Sequence, residues 1–121
     1  MATYKKLLKN RAGDTIIPVS DYDVYSTSEK VVGVWTDGKP IYRVSVQKTI
    51  SGSGWNSIIT IANFSKLVKI EGSYIRNDNL WTDCPRSTIQ IYIQNGNLQL
   101  KDTEGNGGTV YENIYYTKTT D

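Results

Sequence analysis

Two tight-turn dipeptides, Asp37-Gly38 and Asn95-Gly96, constrain the fold of this chain more than any other feature. Both residues at the tip of a type I′ turn need a positive φ, which Asn, Asp and Gly adopt at little cost. Each dipeptide lies between runs rich in β-branched and aromatic residues, the side chains that fit strands best. The pattern therefore predicts two antiparallel hairpins.

The first hairpin is expected to have a two-residue loop, and this loop length fixes how its strands pair. The predicted partners are Thr36–Lys39, Trp35–Pro40, Val34–Ile41 and Val32–Arg43. Proline has no amide hydrogen to donate. We therefore expect Pro40 at a sheet edge, or at a point where the strands separate.

The second hairpin, from Thr88 to Leu100, alternates apolar and polar residues on both sides of its turn. The predicted partners are Ile93–Leu98 and Ile91–Leu100 on one face, and Gln94–Asn97 and Tyr92–Gln99 on the other. One face of an antiparallel sheet can pack on a core while the other stays in water. We expect the isoleucine and leucine face to be buried.

The chain as a whole predicts an all-β fold. Turn signals recur about every 8–12 residues, as in sandwiches and barrels, and no segment has a convincing helical pattern. We expect an antiparallel β-sandwich of about eight strands, jelly-roll-like. Residues 1–22 are expected to form an N-terminal hairpin, with strands at 4–9 and 15–19, that either attaches the domain or is simply the first hairpin of the sandwich. Residues 23–121 are expected to form the sandwich.

Three strand details follow from alternation and glycine placement. Arg43 is expected on the solvent face of its strand, and Gly72 is expected to mark a bulge or a bend. The last strand, residues 110–119, carries aromatic residues on both faces. Because that is more apolar surface than a terminal strand needs, we expect one face to meet another subunit.

Composition limits the kinds of partner. The 121 residues carry a net charge of +2 with no long run of either sign, which gives no support for nucleic-acid binding. No apolar run is long enough to cross a bilayer or to form the core of a signal peptide. Cys84 is the only cysteine, so no disulfide can form within the chain. These features fit a protein made and assembled in a cytoplasm, without membrane insertion.

Catalysis has little support in the sequence. The chain has no histidine, which excludes imidazole triads and His/Cys zinc sites. Carboxylate pairs that could cleave a glycan are Asp78 with Asp83 and Asp102 with Glu104, but all four lie where turns favour such residues. A calcium site at residues 21–23, with Asp21 and Asp23, is too short a motif to assign. We expect no enzymatic activity and no cofactor.

Binding has better support. Sugar sites combine aromatic ring faces with polar groups that meet the hydroxyls. Two loops supply that mixture, and the candidate ligand-binding residues are Trp55, Asn56, Tyr74, Arg76, Trp81 and Asp83. Two alternatives stay open: Trp55 can fold back as a lid on the core, and Tyr74 and Trp81 can be core residues.

Two segments resemble proteins of tailed bacteriophages. The segment YSTxExVVGxWxDGKPIYR (residues 25–43) and the terminal YTKTTD (residues 116–121) are similar to segments that recur in tail fibres, head fibres and receptor-binding appendages. The resemblance implies a virion structural protein, a homotrimer that contacts other virion proteins and adheres to a bacterial surface glycan. The alternatives are a head fibre or capsid decoration protein without a receptor and, third, a depolymerase.

Overall fold

The computed structural model describes residues 24–121 in full and the backbone of residues 7–9 and 15–18. These residues form strands and turns, and no helix occurs among them. In chain order the strands are β1 (Leu7–Lys9), β2 (Thr15–Pro18), β3 (Lys30–Val34), β4 (Pro40–Ile50), β5 (Asn56–Thr60), β6 (Phe64–Arg76), β7 (Trp81–Asp83), β8 (Ile89–Gln94), β9 (Asn97–Asp102) and β10 (Gly108–Lys118).

Eight of these strands build two antiparallel sheets. The larger sheet has the order β3-β4-β10-β6-β7 and the smaller one the order β5-β9-β8. The expected all-β fold, an antiparallel sandwich of about eight strands, is confirmed. The chain alternates between the sheets from β4 to β5 to β6, as in a jelly roll, but the two sheets are unequal in size. The last strand, β10, lies between β4 and β6. The five-stranded sheet is therefore complete only when the C-terminal segment has paired with both of these strands.

The N-terminal hairpin forms a two-stranded sheet of its own, in which Leu8 of β1 pairs with Ile17 of β2. Its loop at residues 10–14 and the expected domain boundary between residues 22 and 23 lie outside the described residues. Asp21 and Asp23, the candidate calcium ligands, also lie outside them.

The hydrophobic core lies between the five-stranded sheet and the three-stranded sheet. β10 contributes Val110, Ile114 and Tyr116, while β9 contributes Leu98 and Leu100, and all five are essentially inaccessible to solvent. The remaining buried apolar side chains are Val44, Ile50, Ile58, Ile61, Tyr74, Cys84 and Ile89. Because alternate residues of a strand face opposite sides, the other half of each strand forms an outward face.

The second hairpin has the predicted register. All four predicted pairs, from Ile91–Leu100 to Gln94–Asn97, are present. Asn95 and Gly96 both have positive φ, 51° and 78°, as a type I′ turn requires. Leu98 and Leu100 face the core, and Tyr92 faces outward.

The predicted register of the first hairpin is wrong by one residue. Val34 pairs with Pro40, and the Gly38 amide donates to the Trp35 carbonyl at 2.9 Å. Of the two tip residues, only Gly38 has a positive φ, so the loop is a type I turn followed by a left-handed glycine. The Oδ1 atom of Asp37 accepts the Lys39 amide at 3.0 Å, a local bond that holds Asp37 in the ordinary φ range.

A bulge then moves the register of this hairpin by another residue. The pairing shifts between Val31 and Gly33, so that Lys30, and not Val32, faces Arg43. The expectation for Pro40 is confirmed, because the pairing of β10 with β4 ends at Tyr42, before the proline is reached.

Gly72 marks no bulge in the pairing of β6 with β10, so of the two alternatives, a bulge or a bend, the bulge is wrong. The pairing of β6 with β10 continues through Gly72 and Glu112, and its irregularities lie beyond Tyr115. A Cβ at Gly72 would come within 1.9 Å of the Tyr111 carbonyl oxygen and 2.0 Å of Glu112 Oε2. The glycine is therefore required by the close approach of the neighbouring strand.

The segments at residues 25–43 and 116–121 pack against each other. The rings of Tyr42 and Tyr116 stack with centroids 5.9 Å apart, and the Tyr42 hydroxyl donates to Asp121 Oδ2 at 2.7 Å. Glu29 accepts hydrogen bonds from the Tyr116 hydroxyl and from Lys118 Nζ. These contacts join the first segment to the C-terminal one, and we call them the clasp.

Candidate functional site

The outward face of the five-stranded sheet is the candidate site. In β10 the residues Val110, Glu112 and Ile114 face the core, so Tyr111, Asn113 and Tyr115 face outward. The strand pairing aligns three rows across the sheet: Gln47–Tyr111–Ser73–Asp83, Ser45–Asn113–Glu71 and Arg43–Tyr115–Lys69. The face is thus a polar floor with aromatic rings at both ends.

Trp81 and Tyr111 form an aromatic pair on this face. Their ring centroids are 5.8 Å apart and their planes are inclined by 29°. Trp81 is on β7 and Tyr111 on β10, so the pair reaches across β6. The residues are 57 % and 37 % exposed. Exposed ring faces of this kind can stack on the apolar side of a sugar ring.

Two grooves flank the aromatic pair and meet at Ser73. The first, of about 460 Å³, is lined by Ser73, Trp81, Thr82, Asp83 and Arg86. The second, of about 400 Å³, includes Tyr25, Ser45, Gln47, Ser73, Tyr111 and Asn113 in its lining. Trp81 thus borders one groove and Tyr111 the other, while hydroxyl, amide and carboxylate groups supply hydrogen-bond partners.

Arg43 fixes the far end of the second groove. Its guanidinium lies 4.4 Å from the ring centre of Tyr25 and 5.9 Å from that of Tyr115, and Nη2 donates to the Val24 carbonyl at 2.9 Å. Arg43 is only 2 % exposed, so the expectation that it faces solvent is wrong. The chain before β3 folds over the guanidinium, and cation–π contacts favour that arrangement. Tyr25 itself remains 56 % exposed.

The floor of the second groove offers polar groups in fixed positions. Ser45 Oγ donates to Asn113 Oδ1 at 2.7 Å, which orients the Asn113 amide group. The Tyr115 hydroxyl donates to Glu71 Oε2 at 2.9 Å. Burial and this bond to Glu71 raise the pKa of Tyr115, so its hydroxyl stays protonated. The floor is therefore ordered before any ligand arrives, which lowers the entropic cost of binding.

Two of the six predicted site residues, Trp81 and Asp83, lie on this face. Tyr74 is buried in the core, and its hydroxyl donates to Asp102 Oδ2 at 2.7 Å. Arg76 lies on the Tyr74 side of β6, where it forms an ion pair with Asp78. Alternation along β6 therefore separates Tyr74 and Arg76 from the outward face, and for Tyr74 the core alternative is the one observed.

Trp55 and Asn56 lie at the other sheet. The ring of Trp55 is 5.7 Å from that of Tyr92, which faces outward from β8, and Lys101 Nζ lies 5.8 Å from the Trp55 ring. Trp55 therefore covers the outward face of the three-stranded sheet, and the expectation of a lid on the core is wrong. Asn56 closes its own loop, since its Oδ1 accepts the Ser51 amide at 2.9 Å.

Several residues of the candidate face were not predicted from the sequence. They are Tyr25, Ser45, Gln47, Ser73, Tyr111 and Asn113. The signal that pointed to them was the presence of aromatic residues on both faces of the last strand. It predicted that one face of the strand meets another subunit, which stays a prediction, and it could not show which strands lie beside β10.

Asp102 stabilises the turn that follows β9. Its carboxylate accepts the Tyr74 hydroxyl and the backbone amides of Glu104, Asn106 and Gly107 at 2.7–3.2 Å. Burial works to raise the pKa of Asp102, but these hydrogen bonds outweigh it and hold the pKa below its usual value. The carboxylate therefore anchors the glycine-rich turn after β9, while Glu104 is exposed.

A second buried acid, Glu112, lies in the core beside Cys84. It is 2 % exposed, and neither carboxylate oxygen has a hydrogen-bond partner among the described residues. Burial raises the pKa of Glu112 to about 7, an effect that the Cys84 thiol partly offsets and the charge of Glu71 reinforces. Burial also raises the pKa of the Cys84 thiol, so Cys84 is a neutral, unreactive thiol at physiological pH.

Comparison with known proteins finds no family model, no curated protein and no solved structure that matches this chain. Within the described part of the chain, no group of three or more His, Cys, Asp or Glu side chains is placed to hold a metal ion. The same residues include no helix with the length and hydrophobicity of a membrane span.

Proposed function

We propose that this protein is a structural protein of a phage virion, a fibre or receptor-binding head domain that adheres to a glycan on the bacterial surface. The observation that carries the proposal is the Trp81–Tyr111 pair, exposed between two grooves with polar linings. Aromatic faces beside hydroxyl, amide and carboxylate groups are the chemistry that recognises sugars. The resemblance of residues 25–43 and 116–121 to phage appendage proteins supplies the biological setting.

The position of the clasp supports a division of labour within the domain. The stacked rings of Tyr42 and Tyr116 lie where β4 begins and β10 ends, whereas Trp81 and Asp83 lie on the edge strand β7. The segments that resemble phage proteins therefore hold the sheet together. The residues between them, together with Tyr25, line the grooves to which we assign the glycan.

We further propose that the domain acts as a homotrimer in contact with other virion proteins. The edge strand β3 presents Val31 and Val34, which are 59 % and 68 % exposed. An edge strand with unpaired backbone groups and apolar side chains favours association. Three weak sugar sites on one assembly gain avidity without any new contact.

Binding to surface polysaccharide extracted from bacteria and immobilised tests the proposal. We expect the protein to be retained, and Trp81→Ala to reduce retention about five- to tenfold, since a stacked aromatic contributes about 1–1.4 kcal/mol. Trp55→Ala is the matched control, because it removes the equivalent ring from the opposite sheet. Equal losses in the two variants, or no retention of the parent on any polysaccharide, would contradict the proposed site.

The second candidate is a head fibre or capsid decoration protein without a receptor. It is favoured by the same exposed rings of Tyr111 and Trp81, which would then be covered by a neighbouring subunit. If Tyr111→Ala dissociates the oligomer and the parent binds no glycan, this candidate replaces the first.

We propose binding without turnover. The candidate carboxylates Asp102 and Asp78 are engaged with backbone amides and with Arg76, so neither is free to pair with a second acid. Release of reducing sugar from a bound polysaccharide would revive the depolymerase alternative.

A further inference from the structure

We propose that the ligand of the outward face is an extended, uncharged oligosaccharide that occupies both grooves at once, with the Trp81–Tyr111 pair between its two halves. This inference rests on the proposed function and specifies its ligand. It follows from the way in which the two grooves are joined and from the charges along them.

The two grooves are joined into one continuous groove across the sheet, which we call the course. They share Ser73, which pairs with Asp83 on one side and with Tyr111 on the other. The course runs from β7 to β4, a distance of three strand spacings or about 14 Å. A single sugar ring is no larger than a tryptophan side chain, so one ring fills only a fraction of that length.

Aromatic rings stand at the middle and at one end of the course. Trp81 and Tyr111 stack on each other and border one groove each, so each can support a separate sugar ring. Tyr25, held by Arg43 at 4.4 Å, flanks the far end of the second groove. Spaced rings with hydroxyl and amide groups between them match a chain of pyranoses, in which apolar ring faces and hydroxyl edges recur.

The charges along the course favour an uncharged chain. Among the cations near the second groove, Arg43 lies under Tyr25 and Lys69 pairs with Glu71 at 3.5 Å. Lys30 Nζ donates to the Val24 carbonyl, next to Tyr25, at 3.1 Å. The carboxylate of Glu112 is buried in the core. In the first groove Asp83 and Arg86 contribute one charge of each sign. A polyanionic glycan would need a row of exposed cations, which this lining does not supply.

Fragment length is the decisive measurement. The probes are fragments of one to eight sugar units, prepared by partial acid hydrolysis of the polysaccharide that retains the protein and then separated by size. Titration calorimetry of the full chain should show affinity rising at least tenfold from the monosaccharide to the fragment that fills both grooves, and then levelling off. Equal affinity for all lengths would overturn the inference while leaving the proposed function intact. Retention on no polysaccharide would overturn both.

Tyr25→Ala tests the far end of the course. Since Tyr25 lies beyond the Trp81–Tyr111 pair, we expect about a tenfold loss of affinity for the longest fragments and no change for the disaccharide, which binds at the central pair. Tyr25→Phe keeps the ring and should retain parental affinity. Tyr92→Ala, on the opposite sheet, is the matched control. An equal loss for short and long fragments in Tyr25→Ala would mean a single pocket and would contradict the inference.

Titration calorimetry also tests the preference for an uncharged ligand. A fully sulfated derivative of the longest fragment should bind at least tenfold more weakly than the neutral fragment, because the lining has no row of exposed cations to pair with the sulfates. Tighter binding of the sulfated fragment would overturn the uncharged class. Thermal unfolding midpoints of all variants, matched to the parent, separate lost contacts from lost fold.

Discussion

At the scale of single residues, the two buried acids show how neighbours decide the state of a carboxyl group. Asp102 and Glu112 are both inaccessible to solvent, yet their pKa values move in opposite directions. Asp102 receives four hydrogen bonds and stays ionised, whereas Glu112 receives none from the described residues. A buried charge without hydrogen bonds is costly, so such a group takes up a proton instead.

Glu112 makes the stability of the domain pH-dependent. Below pH 4.5, its ordinary pKa, the carboxyl is protonated in both the folded and the unfolded chain. Between pH 4.5 and about 7 the unfolded chain releases this proton and the folded one keeps it, so this contribution to stability falls as pH rises. Above pH 7 Glu112 is ionised in the folded chain as well, and the loss of stability from burying its charge reaches its full value, of the order of 3 kcal/mol.

We therefore expect Glu112→Gln to be more stable than the parent above pH 7 and to differ less from it at pH 4.5. Urea unfolding at a series of pH values measures the difference. Glu104→Gln, at an exposed position, should run parallel to the parent. The prediction fails if the Glu112→Gln curve also runs parallel to that of the parent from pH 4.5 to 7.

Asp102 acts in a different pH range. Because its folded pKa lies below the ordinary value of 3.8, its contribution is present above that value and is lost as pH falls through the folded pKa. Asp102→Asn should cost roughly 1.5–3 kcal/mol at pH 7, as for hydrogen bonds to a charged group, and should loosen the turn at residues 103–107. Amide hydrogen exchange at Asn106 and Gly107 gives a local reading. Unchanged exchange rates would show that the turn does not depend on the Asp102 carboxylate.

At the scale of elements, the two hairpins differ in how far local interactions determine the turn type and the strand register. In the second hairpin, Asn95 and Gly96 both take positive φ, and the alternation of flanking residues agrees with that turn. In the first, Asp37 finds a hydrogen bond to Lys39 in an ordinary conformation, so a three-residue loop competes with the two-residue one. A one-residue slip turns every side chain to the other face, and the bulge near Val31 compensates for it.

The two hairpin glycines should respond differently to alanine. A Cβ at Gly38 meets nothing within 4 Å, whereas one at Gly96 would come within 2.2 Å of the Ile61 carbonyl oxygen. Gly38→Ala should cost about 1 kcal/mol for the left-handed backbone alone. Gly96→Ala should cost at least twice as much, because the close contact adds to the same backbone strain. Urea unfolding of both variants compares them directly, and equal costs would contradict the role of the Ile61 contact.

At the scale of the whole molecule, two of the exposed surfaces formed by residues 24–121 are the ones we propose for partners. The outward face of the large sheet carries rings and hydrogen-bonding groups, while the β3 edge carries valines. We propose that the first binds a glycan and that the second contacts neighbouring copies. These assignments can be tested separately because the surfaces involve different residues.

We expect light scattering to give about three times the chain mass of 13.6 kDa. Val31→Lys combined with Val34→Lys should shift the protein to monomers, since each places a charge where apolar surface is to be covered. Tyr92→Lys, on the other sheet, should leave the mass unchanged. A parent of single-chain mass at micromolar concentration would exclude the trimer.

The amino-acid sequence by itself determined the class of fold, the second hairpin and the two faces of β10, because these depend on alternation and on the φ requirements of Asn95 and Gly96, which act over a few neighbouring residues. Only the tertiary structure decided which rings share a surface. Trp81 meets Tyr111 because β7 and β10 both pair with β6, one on each side, and this strand order joins distant parts of the chain. Trp55, Tyr74 and Arg76 were assigned to the same site from their loops, but sheet membership and alternation separate them. Long-range strand order depends on the packing of the complete core, which no local pattern contains.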